Sequence, residues 1–181
     1  MVKKAIMISG NLVQDHEFIY PFYRLLEEDY EIDVCLLGGR PVEGILGTKI
    51  PPNKDHPVHL IENCIKKIEE YELLLLPGGA KSMEYLRQDQ EVLDFIFKFH
   101  KLNKVISSIC HAGQLLISAG IVKGMKVSGY YSIKDDINNA GGIYTDEPAV
   151  IDKNIVTTAH YKHMGQWMKS TLELVEKYKQ I

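Results

Sequence analysis

The sequence predicts an α/β fold, a mostly parallel sheet with helices on both faces, from three observations. Short apolar runs at 5–8, 32–37, 73–76 and 105–109 are each bounded by turn residues. Amphipathic helical patterns lie between these runs, so strand and helix alternate along the chain. The runs are apolar throughout rather than alternating, as expected of parallel strands covered on both sides.

In chain order, Ala5-Ile-Met-Ile8 is the first strand. Asp15 reads as the N-cap of a helix over 17–28, with Phe18, Phe22, Leu25 and Leu26 along its buried face. The second strand is Ile32-Asp-Val-Cys-Leu-Leu37. Segment 38–58, rich in Gly, Pro and charge, is expected to form a hairpin or loop excursion, because strand-like sequence flanks it. The leucines of 73–76 would also suit a buried helix, but the run is short and ends in Pro77-Gly-Gly, which favours a strand. A helix over 90–102 carries Val92, Leu93, Ile96 and Phe97 at helical spacing. Strand 105–109 leads directly into a helix over 111–119 that ends at Gly120, a good residue to follow a helix. After strand 154–158, a last helix over 162–178 places Met164, Trp167, Met168, Leu172 and Val175 on one stripe, read as core. The whole span 1–181 is expected to be one doubly wound domain.

Composition narrows the partners. The 181 residues are 45% apolar and 25% charged, with net charge −3. Lys and Arg are dispersed, so neither nucleic acid nor an anionic membrane is expected as a partner. The N-terminal apolar run is too short for a secretory signal, and no stretch is long enough to span a bilayer. Three cysteines without paired spacing favour reduced thiols and a cytoplasmic location.

The most informative stretch is Val105-Ile-Ser-Ser-Ile-Cys-His-Ala-Gly-Gln. Cys110 sits where strand meets helix, flanked two residues away by Ser108 and Ala112, with Gly113 next. Small neighbours permit the sharp turn that presents a nucleophile. The turn also puts the thiol at a strand's carboxyl end, where open α/β sheets bind ligands, and near a helix dipole that favours thiolate. The alternative is an inert buried cysteine, which suits Cys35 and Cys64 better.

Gly78, Gly79 and Ala80 follow the leucine strand and are candidates to bind an oxyanion through their amides, although a plain tight turn accounts for the glycines equally well. His111 adjoins the cysteine and reads as readily as a helix-start residue as a base. His160 and His163 form an H-x-x-H pair without a further ligand at suitable spacing, so no metal is expected. Glu17 lies in the first turn of its helix, where acidic residues are favoured. Pro21 deprives its carbonyl of the usual partner and is expected to kink the helix there.

Several motifs in order resemble the ThiJ/PfpI superfamily, in particular its PfpI-type intracellular protease branch. They are Asp15-His-Glu-Phe-Ile-Tyr-Pro21, Leu76-Pro-Gly-Gly79, Glu84-Tyr-Leu86, Ser108-Ile-Cys-His111, and the stretches 116–124 and 133–141. The resemblance spans nearly the whole chain and implies a flavodoxin-like three-layer sandwich that assembles as a dimer or hexamer. It implies Cys110 as nucleophile, His111 as its neighbour in a Cys-His pair, and Glu17 as the carboxyl bonded to the thiol. It also implies Glu84 as an acid lent to a neighbouring subunit's site, and oxyanion-binding amides at Gly78 and Gly79. The chain departs from the pattern in Ala112-Gly113 after the Cys-His pair and in one extra residue before Glu84. It also lacks an Arg-x-Pro in 159–164, where His163 resembles a site histidine of two-domain glyoxalase-like members.

The expected activity is therefore that of a cysteine enzyme without cofactor. It would be either a PfpI-type protease or hydrolase, or a glyoxalase or deglycase on small α-oxoaldehydes such as methylglyoxal. Substrates would be small carbonyl compounds or peptides. Should Glu17 face Cys110, repulsion between two anions predicts a protonated Glu17 donating to a thiolate. The main alternative is a redox-sensing or chaperone-like stress protein in which Cys110 is oxidised. A glutamine amidotransferase-like subunit is less well supported, because no glutamate accompanies the late histidines.

Overall fold

The computed structural model describes residues 2–179. Its seven-stranded main sheet is formed by β1 (Lys3–Ser9), β2 (Tyr30–Leu36), β5 (Val58–His59), β6 (Leu73–Leu76), β7 (Val105–Ile109), β10 (Val150–Asp152) and β11 (Ile155–Thr158). The order is β10-β11-β7-β6-β1-β2-β5, and every pairing is parallel except β10 with β11.

Helix α1 (Asp15–Glu27) and helix α7 (Met164–Tyr178) cover one face. There Phe18, Phe22, Trp167 and Met168 pack with Ala5, Met7, Leu73 and Leu75. The other face carries α2 (Ile61–Ile65), α3 (Ala80–Leu86), α4 (Gln90–Lys101), α5 (Gly113–Ser118) and α6 (Lys134–Asn139). Met83, Phe95, Phe99 and Leu115 pack there with Ile6, Ile8, Leu74 and Leu76. Alternate residues of one strand thus feed opposite cores, which is why the runs are apolar at every position. The expected three-layer sandwich is the one observed.

Segment 38–58 is an excursion, as expected. Within it β3 (Val42–Glu43) pairs antiparallel with β4 (Lys49–Ile50). A second small pairing joins β8 (Lys126–Val127) to β9 (Ile143–Tyr144).

Some local expectations are corrected. Gln14, not Asp15, caps α1, its side chain accepting from the His16 N–H at 2.7 Å. Asp15 is the first helical residue and is committed elsewhere. It accepts the Leu46 and Thr48 N–H groups at 2.7 and 3.0 Å and so fastens the β3–β4 hairpin to the helix start. Burial acts against the Asp15 charge, yet these donors hold its carboxyl below the ordinary range. Leu26 and Phe97, assigned to buried stripes, are 42% and 44% exposed, because each lies at the margin of a stripe narrower than its spacing suggested. Helix α1 continues through Pro21. The segment after Cys110 begins as a 3₁₀ turn over Cys110–Ala112 before α5. The late helix likewise starts with a 3₁₀ turn over Tyr161–His163.

The chain enters at β1, leaves towards β2 and β5 on one side, and crosses back to β6 and β7 on the other. Strand order therefore reverses between the carboxyl ends of β1 and β6, with β7 beside β6, and open α/β sheets bind ligands at such a point.

Candidate active site

Cys110 directly follows β7 with φ +61°, the left-handed region a side chain seldom occupies. Full burial of the strand before it, and of Cys110 and Ala112 in the turn that follows, holds this conformation. The turn has a direct consequence for its neighbour. His111 swings back so that its Nδ1 lies 3.3 Å from Cys110 Sγ, despite adjacency in sequence. Its Nε2 is 3.3 Å from Ser132 Oγ, and its ring stacks on Tyr130 at 4.5 Å between centroids. Burial lowers the His111 pKa, so the ring is neutral near pH 7 and free to accept a proton.

Glu17 lies beneath the thiol with no exposed surface. One oxygen, Oε2, accepts the Gly78 N–H at 2.9 Å. The other, Oε1, is buried without a well-aligned partner, and the Cys110 thiol is the titratable group that interacts with the carboxyl. Burial raises the Glu17 pKa to about 7, against the opposing pull of the thiol and the Gly78 amide. Burial, and then the Glu17 charge, also push the Cys110 thiol up, while the His111 and Gly79 amides act to lower it. Neither group ionises cheaply while the other is charged, so the two titrate as a coupled pair whose first proton leaves near pH 7. A helix dipole was expected to favour the thiolate, but the six-residue α5 starts only beyond a 3₁₀ turn, and burial dominates.

The loop after β6 divides its work differently from the sequence expectation. Gly78 donates to Glu17 and is unavailable to an oxyanion. A Cβ there would come within 2.5 Å of Glu17 Oε2 and 2.8 Å of both Cys110 Cβ and the Ile109 carbonyl oxygen. Gly79 has φ +107°, and its amide, with that of His111, is directed at the sulfur. Gly78→Ala is accordingly expected to cost roughly 1–3 kcal/mol of stability by overpacking. The same change should slow Cys110 alkylation by iodoacetamide, and denaturant titration with timed alkylation checks both effects.

Above the thiol is a cavity of about 260 Å³ whose lining includes Gln14, Ile45, Ala80, Tyr130, His160 and Tyr161. The structure therefore brings together Cys110, His111, Glu17, Gly78, Gly79 and Ala80. It does not bring in Glu84, which is exposed on α3 and paired with Lys81 at 2.7 Å. His163 is also outside the lining, and His160 stands there instead. Tyr130, Tyr161, Gln14 and Ile45 carried no signal in the sequence, since each arrives on a different loop. Cys35 and Cys64 are buried and interact with each other away from this cavity. Among the described residues no cluster of three or more His, Cys, Asp or Glu is arranged to hold a metal ion, and no helix is long and apolar enough to cross a membrane.

The sequence profile of the DJ-1/PfpI family matches residues 3–174. A protein of Pyrococcus furiosus named deglycase PfpI is 32% identical over 173 residues, covering 96% of this chain and 99% of its own. Protein/nucleic acid deglycase 2 of Escherichia coli is 30% identical, covering 88% of this chain and 89% of its own. Among solved structures, Drosophila melanogaster DJ-1beta superposes with a TM-score of 0.85 at 22% identity, covering 97% of this chain and 91% of its own, a likeness of fold.

Proposed function

The chain belongs to the DJ-1/PfpI family, and on that premise we propose that it is a cysteine enzyme, without cofactor, acting on small α-oxoaldehydes or their amine adducts as a glyoxalase or deglycase. The observation that carries this reading is the Glu17–Cys110 pair, a buried acid with pKa about 7 under a thiol in a small cavity. Relatives named as deglycases support the same reaction class.

In this reading, Cys110 Sγ adds to the aldehyde carbon of the substrate, and the aldehyde oxygen takes up a proton as a hemithioacetal forms. The Gly79 and His111 amides stabilise the oxygen while it is negative. Neutral His111, 3.3 Å from the sulfur, removes the proton from the attacked carbon. The resulting enediolate takes that proton back at the adjacent carbon, and a proton shift between its two oxygens gives a 2-hydroxyacyl thioester. Water then cleaves the thioester to the 2-hydroxy acid and restores the thiol. Overall one water is consumed and no electrons enter or leave.

Peptide hydrolysis is less well served. It requires an acid beside the leaving nitrogen, and Glu84 stays exposed on its own protomer's surface. The lending of Glu84 to another copy, in a dimer or hexamer, belongs to this proposal, as does a cytoplasmic location. Purified protein, with no added cofactor, is expected to convert methylglyoxal to lactate and to leave unstructured peptides intact. Peptide cleavage without lactate formation would reverse the assignment.

A further inference from the structure

We propose that His160 is a substrate-binding residue of this cleft, its Nε2–H donating to the carbonyl oxygen next to the carbon that Cys110 attacks. The proposal rests on the α-oxoaldehyde reading above and names the residue that distinguishes two vicinal oxygens from one.

His160 lies immediately beyond β11, in extended conformation, and lines the same cavity as Cys110 and His111. Its Nδ1 accepts the Lys162 N–H at 3.1 Å. That bond fixes the tautomer, so the proton of the neutral ring sits on Nε2. Nε2 makes no hydrogen bond to another described residue. The ring has tyrosine rings as neighbours. Tyr161 lies 4.0 Å away between centroids, and Tyr130 lies 6.1 Å away at an interplanar angle of 26°. Tyr130 also stacks on His111, so the two histidines have a fixed relation across one tyrosine.

An immobilised donor without a protein acceptor, in a cavity with a nucleophile, is suited to a ligand oxygen. Burial, followed by Lys162 and His163, keeps the His160 ring neutral near pH 7, which suits a neutral carbonyl oxygen rather than a carboxylate. With the first oxygen at the Gly79 and His111 amides, the second is left for His160. A simple aldehyde has no second oxygen and leaves this donor unpaired, which lowers its affinity relative to an α-oxoaldehyde.

The capping bond to Lys162 is the structural role to be separated from this one. His160→Asn keeps an acceptor for the Lys162 N–H but shortens the donor's reach. His160→Phe keeps the stacking and removes both nitrogens. The readout is protection of Cys110 from iodoacetamide by methylglyoxal or by propanal, in wild type and both variants. The methylglyoxal concentration for half-protection is expected to rise about tenfold in each variant, while that of propanal does not rise. Equal shifts for both aldehydes would reduce His160 to a structural role, and either no shift or no protection of wild type by methylglyoxal would overturn the proposal. Lactate formation is measured separately, because its absence in wild type would contradict the proposed reaction without disturbing the protection readout.

Discussion

Cys110→Ala is expected to lower methylglyoxal turnover by at least about a thousandfold while the protein stays folded. No other thiol can substitute, because Cys35 and Cys64 are 2% and 1% exposed and lie in the opposite core. The fold should tolerate the change. Alanine meets the same left-handed backbone cost as cysteine, and the space vacated is one sulfur atom beside the cavity. Cys110→Ser tests the chemistry more narrowly. A hydroxyl in this buried position ionises far less readily than a thiol, so serine should be nearly as inactive as alanine. Lactate formation by each variant, alongside its thermal unfolding, checks the prediction. Retention of more than about a tenth of wild-type activity would remove Cys110 from the chemistry.

Glu17→Gln should alter stability in a pH-dependent way that identifies the buried carboxyl. The ordinary value of 4.5 rises to about 7 in the folded protein. The folded state therefore binds the proton more tightly, and wild type loses stability as pH rises from about 4.5 to about 7. A shift of this size corresponds to about 3 kcal/mol, and the full exclusion of Glu17 from solvent leaves no screening to discount. Glutamine does not titrate. The unfolding free energy of the variant minus that of wild type is thus expected to increase by about 3 kcal/mol between pH 4 and pH 8. Taking the difference across pH cancels any constant effect of the amide. Urea titrations at the two pH values check it, and a difference that does not change with pH would place the Glu17 pKa near its ordinary value. Stability gained by removing a functional group is the usual mark of a site held in a strained electrostatic state.

Much of the sheet was legible because its strands feed two cores and so announce themselves as continuous apolar runs. The cysteine turn was legible because a left-handed junction tolerates only small neighbours, as at Ser108, Ala112 and Gly113. Other features depended on contacts distant in sequence. Asp15 looks like an N-cap in isolation, and only the return of Leu46 and Thr48 shows why Gln14 takes that role. Gly78 and Gly79 are equivalent in sequence, yet one amide is directed at Glu17 and the other at sulfur. His160 and His163 are one turn apart, and the extended backbone at His160 decides which reaches the cavity. Side chains adjacent in sequence ordinarily diverge, which hides the pairing of His111 with Cys110, and the φ of Cys110 brings them together.

The central claim is that Glu17 and Cys110 share one proton and ionise as a pair. The pH dependence of Cys110 alkylation by iodoacetamide, measured for wild type and Glu17→Gln, tests it most directly. Wild type should show a rise in rate centred near pH 7, followed by a plateau, as the first proton leaves the pair. Glu17→Gln should lack that step, its rate climbing only with ionisation of the isolated thiol. A step near neutral pH that persists unchanged in Glu17→Gln would contradict the account.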